Sequence, residues 1–190
     1  GNRKNSIIRI INLLILCLII ISLSRPRLID NFKETKVEVI DMLLILDISS
    51  SMLADDFKPN RLAAVKNTAA DFVDLRAKDR IGIVVFAGES FIQCPLTVDK
   101  SVLKSLIREI TIATKEYDGT AIGMAIANGI NRLRNSSVKS KIIILLSDGS
   151  NNAGEIDPLT AAELATNFNI KIYTIGAGTN QSYTKIPGRG

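Results

Sequence analysis

Met42-Leu43-Leu44-Ile45-Leu46-Asp47-Ile48-Ser49-Ser50-Ser51 is the stretch that decides how this chain is read. Its unbroken apolar start has neither strand alternation nor the length of a helix, so it predicts a strand buried on both faces. The run ends in a carboxylate and two hydroxyls at alternating positions, Asp47, Ser49 and Ser51. Just past a strand end, such residues can turn their oxygens toward one point. Asp and Ser are also common strand-to-loop residues, so this segment alone is equally compatible with a plain turn.

Working outward, the same logic appears twice more. Ile142 to Leu146 is a second apolar run, followed by Ser147-Asp148-Gly149, and Asp118-Gly119-Thr120 precedes a helical pattern. Between them, apolar residues recur at helical spacing over Leu62 to Val73, Val102 to Ile110, Ile122 to Leu133 and Pro158 to Phe168. Further strands are predicted over Ile81 to Phe86 and Ile170 to Ile175, with a short edge strand over Ser90 to Leu96 after a Gly88 turn. Strands alternating with helices predict an α/β fold, Rossmann-like and doubly wound, with a mainly parallel sheet. Such sheets place ligands at the carboxyl ends of their strands. Hydroxyl and carboxylate oxygens gathered there suit a hard divalent cation.

Asp47, Ser49, Ser51, Thr120 and Asp148 match the D-x-S-x-S, distant Thr, distant Asp pattern of the metal-ion-dependent adhesion site (MIDAS). The chain resembles von Willebrand factor A (vWA) domains in this respect. Segments 54–62, 85–91, 93–97, 118–123 and 152–158 narrow the likeness to the bacterial aerotolerance (BatA-like) membrane proteins. The resemblance implies those five residues as metal ligands for Mg²⁺, with Mn²⁺ or Ca²⁺ as alternatives. In the family the hydroxyls ligate directly and the carboxylates act partly through water. The cation keeps an open position that an acidic side chain of a partner completes. Implied partners are other vWA and repeat membrane proteins and a MoxR-type AAA+ ATPase. The resemblance also implies a last strand, a last helix and a second membrane segment after Gly190. Asp118 reads as a turn residue and not as a ligand, and Gly149 as the residue that lets its loop bend.

The N-terminal residues add a membrane element. Ile7 to Leu23 is apolar apart from Arg9, Asn12, Cys17 and Ser22, close to the ~20 residues of a spanning helix. The expected division is a cytoplasmic flank over 1–6, a transmembrane helix over 7–24, a linker over 25–39 and a vWA domain over 40–190. A cleaved signal peptide is the rival reading, with Ser22-Leu23-Ser24 mimicking a cleavage site, but Arg25 and Pro26 are poor neighbours for one. Flanking charge does not set the topology, because Arg25, Arg27, Lys33 and Lys36 follow the run. Gly1 to Asn5 resembles the end of the family's cytoplasmic loop, which implies a periplasmic domain on the cytoplasmic membrane of a bacterium.

Composition removes other classes. With no His, the chain lacks Ser-His catalysis, His-ligated zinc and His-based pH sensing. The net charge of +5 comes without a basic patch interleaved with aromatics, which argues against nucleic acid. No phosphate-binding loop is present, and Gly176-Ala177-Gly178 is a lone G-x-G. No catalytic residue is assigned. The alternative is a metal-dependent phosphohydrolase centred on Asp47, although the second Asp of that pattern is replaced by Ser49.

Overall fold

The computed structural model describes residues 2–23, 39–149 and 151–178. The chain divides into two units, 1–36 and 37–190. The first holds helix α1 (Asn2–Leu23). Its apolar side chains are exposed on every side, from Ile7 at 56% and Leu13 at 67% to Ile20 at 58%. The spanning helix expected over 7–24 coincides in place with α1, but spanning is not shown. Among the described residues no helix is long and apolar enough to cross a membrane. The described side chains of α1 run only from Arg3 to Ile20 and include three cations, Arg3, Lys4 and Arg9. The expected linker lies almost wholly outside the described residues.

The second unit is an α/β domain. Its strands are β1 (Ile40–Asp47), β2 (Arg80–Phe86), β3 (Ser90–Thr97), β4 (Ser140–Ser147) and β5 (Ile170–Gly176). Its helices are α2 (Arg61–Leu75), α3 (Lys100–Glu109), α4 (Ile122–Leu133) and α5 (Pro158–Asn167). The sheet order is β3-β2-β1-β4-β5. All neighbours are parallel except β2 and β3, which form the expected antiparallel edge.

β1 is the centre of the domain, which explains its unalternating apolar run. Met42, Leu44 and Leu46 face the core made with Leu62, Val65, Ala69 and Val73 of α2 and Leu103 and Ile107 of α3. Leu43 and Ile45 face the opposite core, with Ala125, Ile126, Ile130 and Leu133 of α4 and Ala161 and Ala165 of α5. Each full burial of such a side chain contributes about 1.5–3 kcal/mol before chain entropy is set against it. β5 is less covered: Tyr173 and Ile175 are 53% and 49% exposed.

The order of connections matters for function. From β1 the chain steps to β2 on one side, and later to β4 on the other. β1 and β4 therefore flank the topological switch point, where the loops leaving their carboxyl ends diverge and open a crevice. The amino end of β1 is pinned instead: Arg80 Nε donates to Asp41 Oδ1 at 2.7 Å, and the Asp41 side chain is fully buried.

Candidate metal centre

Asp47 ends β1, and Ser147 ends the neighbouring β4. Asp47 is fully buried. Its Oδ1 accepts from Ser49 N at 2.9 Å and its Oδ2 from Ser147 Oγ at 2.6 Å. Burial pushes its pKa up from the ordinary value; the hydrogen bonds from Ser147 and Ser49 pull the other way, and the charge of Asp148 adds to the rise. A buried carboxylate in this condition favours a nearby cation, which would stabilise its ionised form.

The chain beyond Asp47 turns through a 3-10 turn at Ser50–Leu53, with Ser49 in extended conformation ahead of it. This brings Ser49 Oγ and Ser51 Oγ to 3.0 Å. Ser51 Oγ donates to Asp148 Oδ1 at 2.8 Å, across 97 positions of sequence. Asp148 Oδ2 accepts from Arg61 Nη1 at 2.6 Å, and the Asp148 side chain is fully buried.

Thr120 is buried and reaches the same end of the sheet from the loop before α4. Its N–H donates to Asn152 Oδ1 at 2.8 Å, and its carbonyl accepts from Asn152 N at 3.0 Å. A Cβ added at Gly149 would stand 3.7 Å from Thr120 Oγ1, so the hydroxyl lies beside the residue after Asp148. All five residues singled out in the sequence thus gather at the carboxyl ends of β1 and β4. Ser49, Ser51 and Asp148 form one hydrogen-bonded chain, Asp47 joins through the Ser49 backbone, and Thr120 stands alongside.

These donors fit a cation, and the kind is set by their chemistry. They are all oxygen, with hydroxyls outnumbering carboxylates, which suits a hard divalent ion such as Mg²⁺ over a thiolate- or imidazole-seeking metal. Among the described residues no three His, Cys, Asp or Glu side chains cluster as metal holders. A hydroxyl-rich set is consistent with that result.

The von Willebrand factor type A domain family matches residues 41–186. The chain belongs to the vWA family. An uncharacterized protein of Borreliella burgdorferi is 34% identical over 145 residues, 76% of this chain and 42% of that protein. The chain therefore spans about half the length of the curated relatives it matches. An aerotolerance-related membrane protein from Bacteroides fragilis is 32% identical with a TM-score of 0.72, covering 80% of this chain and 73% of its own. BatB from Bacteroides thetaiotaomicron is 34% identical with a TM-score of 0.66, covering 72% and 66%.

Sequence reading took Asp118 only as a turn residue, which it is, and gave no role to the other residues that hold the vWA site in shape. Asp118 is a clamp: its Oδ1 accepts from Ser50 N at 2.9 Å and its Oδ2 from Ser50 Oγ at 2.7 Å, tying the Thr120 loop to the Ser49–Ser51 loop. Asn151 Oδ1 accepts from Ile122 N at 2.8 Å and so caps α4, whose own preceding residue Ala121 offers no side-chain cap. Arg61 is fixed by Asp56, with Nε to Oδ1 at 2.8 Å and Nη2 to Oδ2 at 2.9 Å. The hydrogen bonds that Arg61 donates to Asp56 raise its pKa still higher, with the one to Asp148 adding to the rise, so the guanidinium stays charged. Gly149 lies at the bend after Asp148, as expected, and Gly119, at φ 132°, takes up a left-handed conformation in the Thr120 loop.

Proposed function

We propose that this vWA domain is a membrane-anchored, metal-dependent protein-binding module. Asp47, Ser49, Ser51, Thr120 and Asp148 hold a divalent cation, Mg²⁺ foremost, with Mn²⁺ or Ca²⁺ as substitutes. The observation that carries this reading is the 2.8 Å bond from Ser51 Oγ to Asp148 Oδ1 beside the 3.0 Å Ser49–Ser51 contact, which unites two loops far apart in sequence. The cation supplies a positive centre that attracts an acidic side chain of a protein partner. The chain's own residues orient the oxygens: Asp47 fixes the Ser49 backbone, Asn152 fixes Thr120, and Asp118 holds the two loops together.

The phosphohydrolase alternative loses ground on geometry. Asp47 is fully buried and both its oxygens accept hydrogen bonds, so it is badly placed to attack a phosphorus atom. A MIDAS-type binding role uses the same burial well.

The all-round apolar surface of α1 supports an anchor, and an exposed Arg9 near its start has a stem long enough to snorkel to a headgroup layer. Likeness to an aerotolerance-related membrane protein supports membrane association; on our reading the membrane is a bacterial cytoplasmic one and the vWA domain lies on its periplasmic side. Partners on this reading are other vWA and repeat proteins of the membrane, coupled to a MoxR-type AAA+ ATPase.

Calorimetry on the full chain in detergent tests the metal. Mg²⁺ or Mn²⁺ should bind, and Asp47→Ala should remove the binding. Equal binding by that variant refutes the site. Capture of membrane proteins with and without chelator then tests the partner role, and capture that ignores the chelator refutes it.

A further inference from the structure

We infer that Arg61, braced by Asp56, is a positioning residue that governs how strongly Asp148 can serve a cation. The inference rests on the metal-binding reading of the site. Arg61 is the first residue of α2, and Asn60 caps that helix by accepting from Ala63 N at 2.8 Å. The cap fixes where the Arg61 side chain starts. From there its guanidinium takes Asp56 with two donors and Asp148 with a third. The three side chains are 13% (Arg61), 5% (Asp56) and 0% (Asp148) exposed, so water does little to screen them. A Cβ added at Gly178 would stand 3.7 Å from Arg61 Cζ, which places the turn after β5 against the same group.

Two consequences follow for Asp148. Each of its oxygens is committed: Oδ1 to the Ser51 hydroxyl and Oδ2 to Arg61. The two bonds run to different elements, Oδ1 to the Ser49–Ser51 loop and Oδ2 to the first residue of α2. Arg61 therefore competes with a cation for Oδ2. The second consequence is charge. Arg61 offsets one of the two carboxylates it touches, which lowers the negative potential that a cation feels. Both effects weaken cation binding and leave a bound ion more of its charge for an acidic partner. A bidentate, planar guanidinium with rigid support does this in a way that a lysine ammonium cannot.

The test measures Mn²⁺ alone, as free ion by electron paramagnetic resonance, on the full chain in detergent. Arg61→Gln should bind Mn²⁺ about tenfold more tightly than the parent, because a nearby positive charge is gone and Asp148 is released. Adding Asp148→Asn to Arg61→Gln should erase that gain. Arg61→Lys should fall between the parent and Arg61→Gln. Arg61→Gln leaves Asp56 and Asp148 without their shared cation, and it can fail to fold. The Arg61→Gln/Asp56→Asn pair avoids that repulsion and should keep part of the gain. Parent-like or weaker Mn²⁺ binding by the folded Arg61→Gln/Asp56→Asn variant overturns the inference, as does a gain that survives Asp148→Asn. A parent that binds no Mn²⁺ at millimolar concentration overturns the metal-binding reading, and this inference with it.

Discussion

Asp118→Ala is the perturbation that best separates a preformed site from a set of neighbouring oxygens. The Asp118 carboxylate spans two loops 68 positions apart, accepting from Ser50 N at 2.9 Å and from Ser50 Oγ at 2.7 Å. It also accepts from Gly119 N at 3.0 Å, which shapes its own turn. Both inter-loop bonds are exposed, so each is taken at the low end of the usual range, about 0.5–1 kcal/mol. Their loss frees roughly 1–2 kcal/mol of loop-to-loop constraint. If that constraint is what ties the Thr120 loop to the Ser49–Ser51 loop, Mg²⁺ binding must supply it again, and affinity falls about 5- to 30-fold. Asp118→Asn keeps an acceptor for Ser50 N and a partner for the hydroxyl, so it should stay within about threefold of the parent. Calorimetry with Mg²⁺ reads the affinity, and thermal unfolding in chelator reports whether the domain is intact. A folded Asp118→Ala protein that binds Mg²⁺ as well as the parent would refute the reasoning, because the clamp would then carry no part of the site's order.

Three more predictions bear on fold, electrostatics and topology. Gly119→Ala places a Cβ at φ 132° and 3.2 Å from Ala153 Cβ, so it should cost about 1–3 kcal/mol and lower Tm by roughly 3–8 °C in a melting experiment; an unchanged Tm contradicts the strain argument. Burial holds the folded-state pKa of Asp47 above its unfolded value, so its favourable contribution is full below the unfolded value and is lost as pH rises through the folded one. In chelator, Asp47→Asn should therefore melt above the parent near neutrality and converge with it in acid, and a gap that stays constant with pH rejects this. For topology, Cys94 is buried and a poor reporter, so Lys33→Cys is preferred; labelling of that thiol in intact cells by an impermeant reagent is expected, and labelling only after lysis excludes a periplasmic domain.

Much of the domain was legible because its centre is made of runs whose only reading is a strand covered on both sides. Met42 to Leu46 and Ile142 to Leu146 lie side by side in register, Met42 opposite Ile142 and Leu46 opposite Leu146. The five oxygen-bearing residues were legible because each follows a strand or precedes a helix that the pattern already marked. Asp56, Arg61, Asn151 and Asn152 were given no role, although all but Asn151 fall in the segments 54–62 and 152–158 that carried the family likeness. Their partners lie between 5 and 87 positions away, and only the closed loops bring them together. No period or spacing in the chain encodes a contact of that kind. The bend after Asp148 does fall at Gly149, as its place in the sequence implied, while the left-handed backbone at the site is that of Gly119 on the other loop.

The sheet order explains why side chains from three loops meet at one end of the sheet. β1 and β4 part company at the switch point, so the loops after Asp47 and Ser147 leave in different directions. Neither loop can close the crevice alone. The Ser147 hydroxyl bridges it at the floor by donating to Asp47, and Ser51 bridges it one layer higher by donating to Asp148. Thr120 comes in from a third segment whose main chain is tied to Asn152, beyond β4, and whose neighbour Asp118 is tied to Ser50, beyond β1. The Thr120 loop thus touches both sides of the crevice. Any movement of Thr120 toward or away from the site must break or carry with it a bond to each side.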